Sequence, residues 1–597
     1  MVLQGEVCSV GDEATDYRGN SPDKSKTGGW LGAGLILGSE LAERICIMGI
    51  SMNLVTYLVG DLHITSSKSA NIVTNFMGSL HLLAIVGGFL ADAKLGRFVC
   101  VAFFATLTSV GVGLLTVATS LPSMRPPVCD NRHHHKDCVV ASGKQMILLY
   151  VSLYIIALGA GSIKANVSGF GTDQFDNNDP KEEKAMIFFF NRFYFCISIG
   201  SLFAVTLLVY IQDNISRGVG YGISAVAMAI AVAILLLGTK RYRYKKPQGS
   251  PLTVIGTVIY MAWRNRKLPY PSDPFQLNQY CGSKVPHTKR FRCLDKAAII
   301  EKDVKSETEI VERCCTVTQV EEVKMITELL PIWSTCIMFW TVYSQMTTFS
   351  VEQATYMDRR ITSTFYFPSG SIPVFLFISV LLFTSLNEKI IVPFVRNCIT
   401  HSPQGISSLQ RVGIGLAFGI IAMIVSAVVE MKRRELVVSV EKRMMSVFWL
   451  IPQFFMVGAG EAFAYVGMLE FFIREAPEKM KCMSTAFFLT ALALGFFVSS
   501  LLVSLVHVIT NGGWIKNNLN RGRLDYFYWM LAVLGVLNFI VFLFFAMRHQ
   551  YKVQHVVSVD DRMEELKVCT VVDVVLPGDA IEIEAVVTNK DEAIAIV

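Results

Sequence analysis

The chain has 597 residues with a formal net charge of +6; 52% of the residues are hydrophobic and 17% charged, and the mean hydropathy is +0.46. Soluble domains carry about 25% charged residues, and this sequence has no basic nucleic-acid-type stripe, Walker lysine or nucleophile elbow, so a soluble enzyme, an ATP-driven pump and a nucleic-acid binder are excluded. The apolar residues gather into runs long enough for helices that cross a bilayer, which need roughly 20 residues each; the runs are too continuous for barrel strands.

Residues 1–29 are polar, with Asp12, Glu13, Asp16, Arg18, Asp23, Lys24 and Lys26, so no cleavable signal peptide is expected there. Apolar segments follow near 30–58, 70–91, 98–120, 145–170, 187–211 and 217–239. A polar insert occupies 240–324, and a second set of segments lies near 325–350, 369–387, 408–430, 446–474, 483–509 and 525–548. The expected fold is an all-α membrane protein with twelve transmembrane helices in two six-helix halves, 30–239 and 325–548, and a disordered tail over 549–597. The insert opens with Lys240, Arg241, Arg243, Lys245 and Lys246, the densest basic cluster in the chain, which places it and both termini in the cytosol. Lys432, Arg433 and Arg434 then fall in an outside loop, against the rule. Residues 253–266 read as an amphipathic helix on the inner membrane surface.

Charges inside apolar segments are costly and point to function. In the first segment, GSELAERICIMG puts Glu40, Glu43 and Arg44 on one helical face; two acids beside one base can hold a proton whose binding depends on its neighbours. The bland alternative is a static ion network. Lys164, alone among small residues in GAGSIKANVSGFGTDQFD, is the expected partner of that cluster. Glu461 in the tenth segment is expected to face a central pocket. Asp92 and Arg97, in the turn between the second and third segments, are a candidate cytosolic gate. Cys129 and Cys138 bracket an outside loop and could form a disulfide. The His133–His135 triplet is read as solvent-facing rather than as a metal site, and no cofactor is expected. Asn214, in a sequon close to the membrane, is a weak glycosylation candidate.

The Glu40–Glu43–Arg44 cluster, the Lys164 helix, GGFLADAKLGR (87–97), SGFGTDQFD (168–176) and FFFNRFYFCISIGSL (188–202) together resemble the plant nitrate transporter 1/peptide transporter family. The likeness runs from DKSKTGGW (23–30) to LNRGRLDYFYW (519–529), and NLVTYLVGDLH, PQGSPLT and WRNRKLPYP resemble the subfamily of the dual-affinity nitrate transceptor. The resemblance implies the major facilitator superfamily fold and proton coupling. It also implies a plasma-membrane symporter importing nitrate, with Glu40, Glu43, Arg44 and Lys164 handling protons and Tyr343 and Glu461 facing the substrate. Three departures stand out. Tyr343 occupies the position where the transceptor has a pocket histidine, Cys100 replaces its switch threonine, and Ser198 stands where asparagine is common. A tyrosine offers a neutral hydroxyl where a histidine can offer a cation, so low affinity is expected. An organic substrate (abscisic acid or another hormone, or a di- or tripeptide) is the alternative, and a membrane nitrate sensor is a rival of another class. The expected partners are protons, a small anionic or organic substrate and the lipid bilayer, with no nucleic acid.

Overall fold

The computed structural model describes residues 14–20, 22–23, 26–127, 138–176, 180–247, 251–270, 277–278, 287–299, 314–363, 365–400, 406–438, 444–477, 481–549 and 551. The His133–His135 triplet, Cys129 and nearly all of the tail lie outside these residues. The chain divides into two compact units, one of Met1–Thr257 with Glu322–Gln550 and one of Val258–Glu321 with Tyr551–Val597.

The first half of the larger unit is built from α1 (Gly29–Ser51), α2 (Ser66–Leu90), α3 (Arg97–Ser120), α4 (Gly143–Thr172), α5 (Pro180–Phe203) and α6 (Arg217–Leu237). After α7 (Pro251–Arg264) come α8 (Val317–Thr347), α9 (Val374–Leu386), α10 (Ser408–Val438), α11 (Ile451–Glu475), α12 (Lys481–Ile509) and α13 (Leu524–Arg548). Eleven helices among the described residues are long and apolar enough to cross a membrane. The 23-residue α1 falls short of that composition because it carries Glu40, Glu43 and Arg44, and with it the expected twelve spans are accounted for. Mid-helix Phe103, Val226, Leu501 and Ile540 are 57–60% exposed, apolar side chains pointing outward as a lipid-facing surface requires.

Local chemistry places the ends. Ser142 and Gln145 form a capping box at the start of α4, the Ser142 N–H donating to Gln145 Oε1 at 2.8 Å. The first expected segment, 30–58, is broken after Ser51 and resumes as a short helix, Leu54–Gly60. Beside the break, Asn53 Nδ2 donates to Gln212 Oε1 and Asp213 Oδ1, both at 2.9 Å. Asn214 ends the short helix Val209–Asn214, its side-chain amide donating to the Tyr210 carbonyl at 3.2 Å. In packing, α2 lies on α4, α3 on α4 and α6, and α1 on α5 and α6; α10 lies on α11 and α13, and α9 on α11. The two sets meet where α2 packs on α12. A Cβ on Gly161 would collide with the Leu80 carbonyl and stand 3.1 Å from the Ala84 nitrogen, so α2 and α4 touch backbone to backbone there.

The basic run 432–434 is not a loop. It lies in the last turns of α10, where Arg433 is fully buried on Glu430 at 2.7 and 2.8 Å and Arg434 donates to Asp525 at 3.0 Å. Two of these three cations are neutralised inside the fold, which is why they do not read as loop charge. Cys138 is disulfide-bonded. Within the smaller unit, a short helix Arg292–Asp295 and a bridge between Leu277 and Ile299 surround buried Asp295 and Glu321, with His287 Nε2 3.3 Å from Asp295 Oδ2. Ile259, Tyr260 and Trp263 of α7 are exposed, and Arg266 lies 4.6 Å over the Trp263 ring.

Candidate functional site

The expected acid cluster forms in α1. Glu40 and Glu43 are 1% and 0% exposed. Arg44 Nε donates to Glu40 Oε1 at 3.2 Å and stands 3.8 Å from Glu43 Oε2, the four-residue spacing placing Glu40 and Arg44 one above the other. One guanidinium thus serves two carboxylates. Glu40 Oε2 and both Glu43 oxygens have no hydrogen-bond partner among the described residues. Burying ionised oxygens in this way is costly, and proton transfer relieves the cost.

A cavity of about 430 Å³ adjoins the cluster, lined by Glu40 and Arg44 and reached by Lys164 from α4 and Glu461 from α11. Lys164 therefore shares the space of the α1 cluster, as expected, but makes no direct ion pair among the described residues. Glu461 Oε2 has no hydrogen-bond partner among the described residues. Tyr343 lies on the same wall in an aromatic ladder, its ring 5.5 Å from Trp340 and 6.5 Å from Phe496. Toward one end of the helices the cavity is bounded by Asp92, Arg97, Thr172 and Ile473, so its mouth lies where α2, α4 and α11 end.

At that mouth Arg97 Nη1 donates to both Asp173 oxygens, at 2.8 and 2.9 Å, while Asp92 lies on the cavity wall. The Arg97–Asp173 bond ties the start of α3 to the end of α4. Lys245 lies 3.8 Å from Asp173, and Arg243 Nη1 donates to Glu182 Oε2 at 2.7 Å. Both ends of each of these ion pairs belong to the first six helices and the segment directly after them, so they staple one set of helices together. Asp173 was legible only as part of SGFGTDQFD; nothing in its spacing from Arg97 predicts the pair.

One cavity residue was not singled out. His81 on α2 is 6% exposed; its Nδ1 lies 2.8 Å from the Met77 carbonyl and its ring stacks on Phe496 at 5.8 Å. The available signal was that it is the only titratable residue of α2 between Lys68 and its end. Cys100 is fully buried in α3 beside Val101, Phe104 and Ile163.

Comparison with known proteins places these features. The POT family profile matches residues 98–519. The chain is 63% identical over 563 residues to Protein NRT1/PTR FAMILY 6.4 of Arabidopsis thaliana, covering 93% of this chain and 95% of that one. It is 46% identical over 572 residues to Protein NRT1/PTR FAMILY 6.3 of the same plant, covering 93% and 96%. Among solved structures, an auto-inhibited POT family peptide transporter superposes with a TM-score of 0.66 at 19% identity, covering 88% of this chain and 98% of that one. The transporter PepTSo superposes at 0.65 and 20%, covering 87% and 98%. The likeness to these transporters gives the helices the major facilitator arrangement expected from the sequence. With buried acids around a cavity in such a bundle, and relatives of this identity along almost its whole length, the chain belongs to the NRT1/PTR branch of the POT family and is a multi-pass membrane transporter.

Proposed function

We propose that the chain is a proton-coupled symporter that imports nitrate across the plasma membrane with low affinity, its two termini and its 240–324 insert in the cytosol. The observation that carries the reading is the shared cavity, where Glu40, Arg44, Lys164, Tyr343 and Glu461 border one space and Glu43 stands beside Arg44. Inside-negative potential opposes an anion by roughly 2.3 kcal/mol per charge per 100 mV. One accompanying proton cancels the charge, and a second makes inward movement favourable. A proton taken up at Glu40 or Glu43 weakens that acid's hold on Arg44, so that the guanidinium and Lys164 meet the anion. Tyr343 contributes a neutral hydroxyl donor, which fits low affinity. The two halves, 30–239 and 325–548, then rock about the cavity, and release occurs at the mouth by Asp92 and Arg97.

The test is current in oocytes expressing the chain at an external pH of about 5.5, well below neutral so that an inward proton gradient exists. Nitrate is expected to elicit inward current and a dipeptide none, and Glu43→Gln is expected to abolish proton-driven uptake. Uptake surviving intact in Glu43→Gln would remove that residue from the coupling. An organic substrate is favoured by a different observation: the cavity is far larger than nitrate, falls within the roughly 300–1,000 Å³ of small-molecule pockets, and carries an aromatic wall beside Glu461, whose Oε2 has no hydrogen-bond partner among the described residues, a match for a ring and an ammonium group. Current with a peptide or a hormone and silence with nitrate would select this second reading.

A further inference from the structure

The helix ends remote from the cavity mouth hold an acid that the coupling cluster does not use. Glu352 lies in the short helix Phe349–Thr355 that follows α8, and it is 1% exposed. Its Oε1 is hydrogen-bonded to Ser66 Oγ, the first residue of α2, so the contact joins the two sets of helices. Its Oε2 has no hydrogen-bond partner among the described residues. Ser66 Oγ also lies 3.4 Å from the Asn517 carbonyl in the α12–α13 connection, which accepts from Tyr356 Oη at 3.1 Å. A few residues along, Asn71 Nδ2 of α2 donates to Ser504 Oγ of α12 at 2.8 Å. These bonds close the end opposite the mouth.

We infer that Glu352 is a second proton-binding site, one that binds a proton from the external solution and so locks this end shut. The sidedness rests on the topology proposed above. The hydrogen-bond pattern favours the neutral acid. With Glu352 protonated, its O–H donates to Ser66 Oγ, and the Ser66 hydroxyl is free to donate to the Asn517 carbonyl. With Glu352 ionised, Ser66 turns to the carboxylate, the Asn517 contact is lost, and a charged oxygen stays buried without a partner, which is costly. Among the described residues no cation pairs with it. Among the described residues, the titratable neighbours that feel the charge of Glu352 are Tyr356 and, from α13, Tyr528, both neutral as phenols. Arg433, the cation of the neighbouring turn of α10, is committed to Glu430, which in turn accepts from Gln353 Nε2 at 2.7 Å. When the end opens, the carboxyl meets water and its proton returns to the solution it came from. The proton gates; it is not carried across. External acid therefore favours the state open to the cytosol whatever the substrate.

The experiment uses the full-length protein in membranes without substrate. A thiol is introduced by Ser69→Cys, one turn along α2 at a fully buried position; its modification by a membrane-impermeant maleimide added outside is followed by mass spectrometry and divided, at each pH, by the labelling of the same thiol in denatured protein, because the thiolate that a maleimide attacks itself becomes more abundant as pH rises. Labelling is expected to rise at least about fivefold between external pH 5.5 and 7.5, within the ceiling of about tenfold per pH unit for one linked proton. In Glu352→Gln, whose amide keeps the bond to Ser66, labelling is expected to stay low at both pH values. Ser66→Ala, which leaves the acid but removes its partner, is expected to raise labelling at both, and it decides the matter if the first variant fails to fold. A pH dependence in Glu352→Gln equal to that of the parent overturns the proposal, as does unchanged labelling in Ser66→Ala. Nitrate takes no part in the assay, so a chain that moves a peptide instead fails the current measurement while leaving this result intact.

Discussion

At Tyr343 a single side chain separates two kinds of anion site. The ring is 7% exposed and wedged between Trp340 and Phe496, so a histidine of smaller volume fits without repacking. An imidazolium adds charge to the hydrogen bond it makes with an anion, worth about 1 kcal/mol more than a neutral donor. Tyr343→His is therefore expected to lower the nitrate concentration for half-maximal current about fivefold at acidic pH, and less at alkaline pH as the imidazole loses its proton. An unchanged or raised half-saturation would take Tyr343 off the substrate's path. Glu40, Glu43, Arg44, Lys164 and Glu461 were legible in the sequence because charges in apolar runs announce themselves. Glu352 was not, because the apolar run of α8 fades at about residue 350 and the acid two positions on reads as the start of a loop. The fold instead turns the chain into another short buried helix there. His81 was overlooked because one histidine barely alters the hydropathy of α2.

Between elements, contact depends on glycine where two backbones meet. Gly161 on α4 faces the Leu80 carbonyl of α2, three residues before Lys164, so the same contact that joins the helices holds the lysine at the cavity wall. Overpacking a helix interface costs about 1–3 kcal/mol even when side chains can give way, and here the obstacle is backbone. Gly161→Val is expected to sharply lower the surface amount and the melting temperature of purified protein. Gly113→Ala on α3, with nothing within 4 Å of the added carbon, is expected to leave both unchanged or slightly raised by better helix propensity. Equal behaviour of the two variants would mean that α2 and α4 are not in backbone contact. Helix positions followed closely from the apolar runs, but their ends did not. The start of α5 reaches back to Pro180 through Lys181, which hydropathy reads as loop although lysine is a good helix former. The π-helical turns at Ala91–Leu95, Ala204–Leu208 and Asn387–Ile391 leave no mark in composition, since a wider turn uses the same residues.

Across the whole molecule, the six-and-six pattern of apolar runs was enough to expect two six-helix halves, and the family motifs carried the superfamily, while which end is shut was not legible. That depends on pairs far apart in sequence, such as Ser66 with Glu352 and Asn71 with Ser504. The two pairs predict different behaviour. Asn71 and Ser504 carry no titratable group, so their bond contributes a fixed amount to closure at every pH, about 0.5–1.5 kcal/mol for a neutral hydrogen bond. Asn71→Val is thus expected to shift the population toward the state open at that end by about two- to tenfold, raising labelling of the Ser69→Cys thiol at external pH 5.5 and 7.5 alike. The ratio between the two pH values should match the parent's, because Glu352 is untouched. A change in that ratio would mean that proton binding and the Asn71 bond are coupled through α2, and the closure of this end would have to be treated as one network instead of two separate latches.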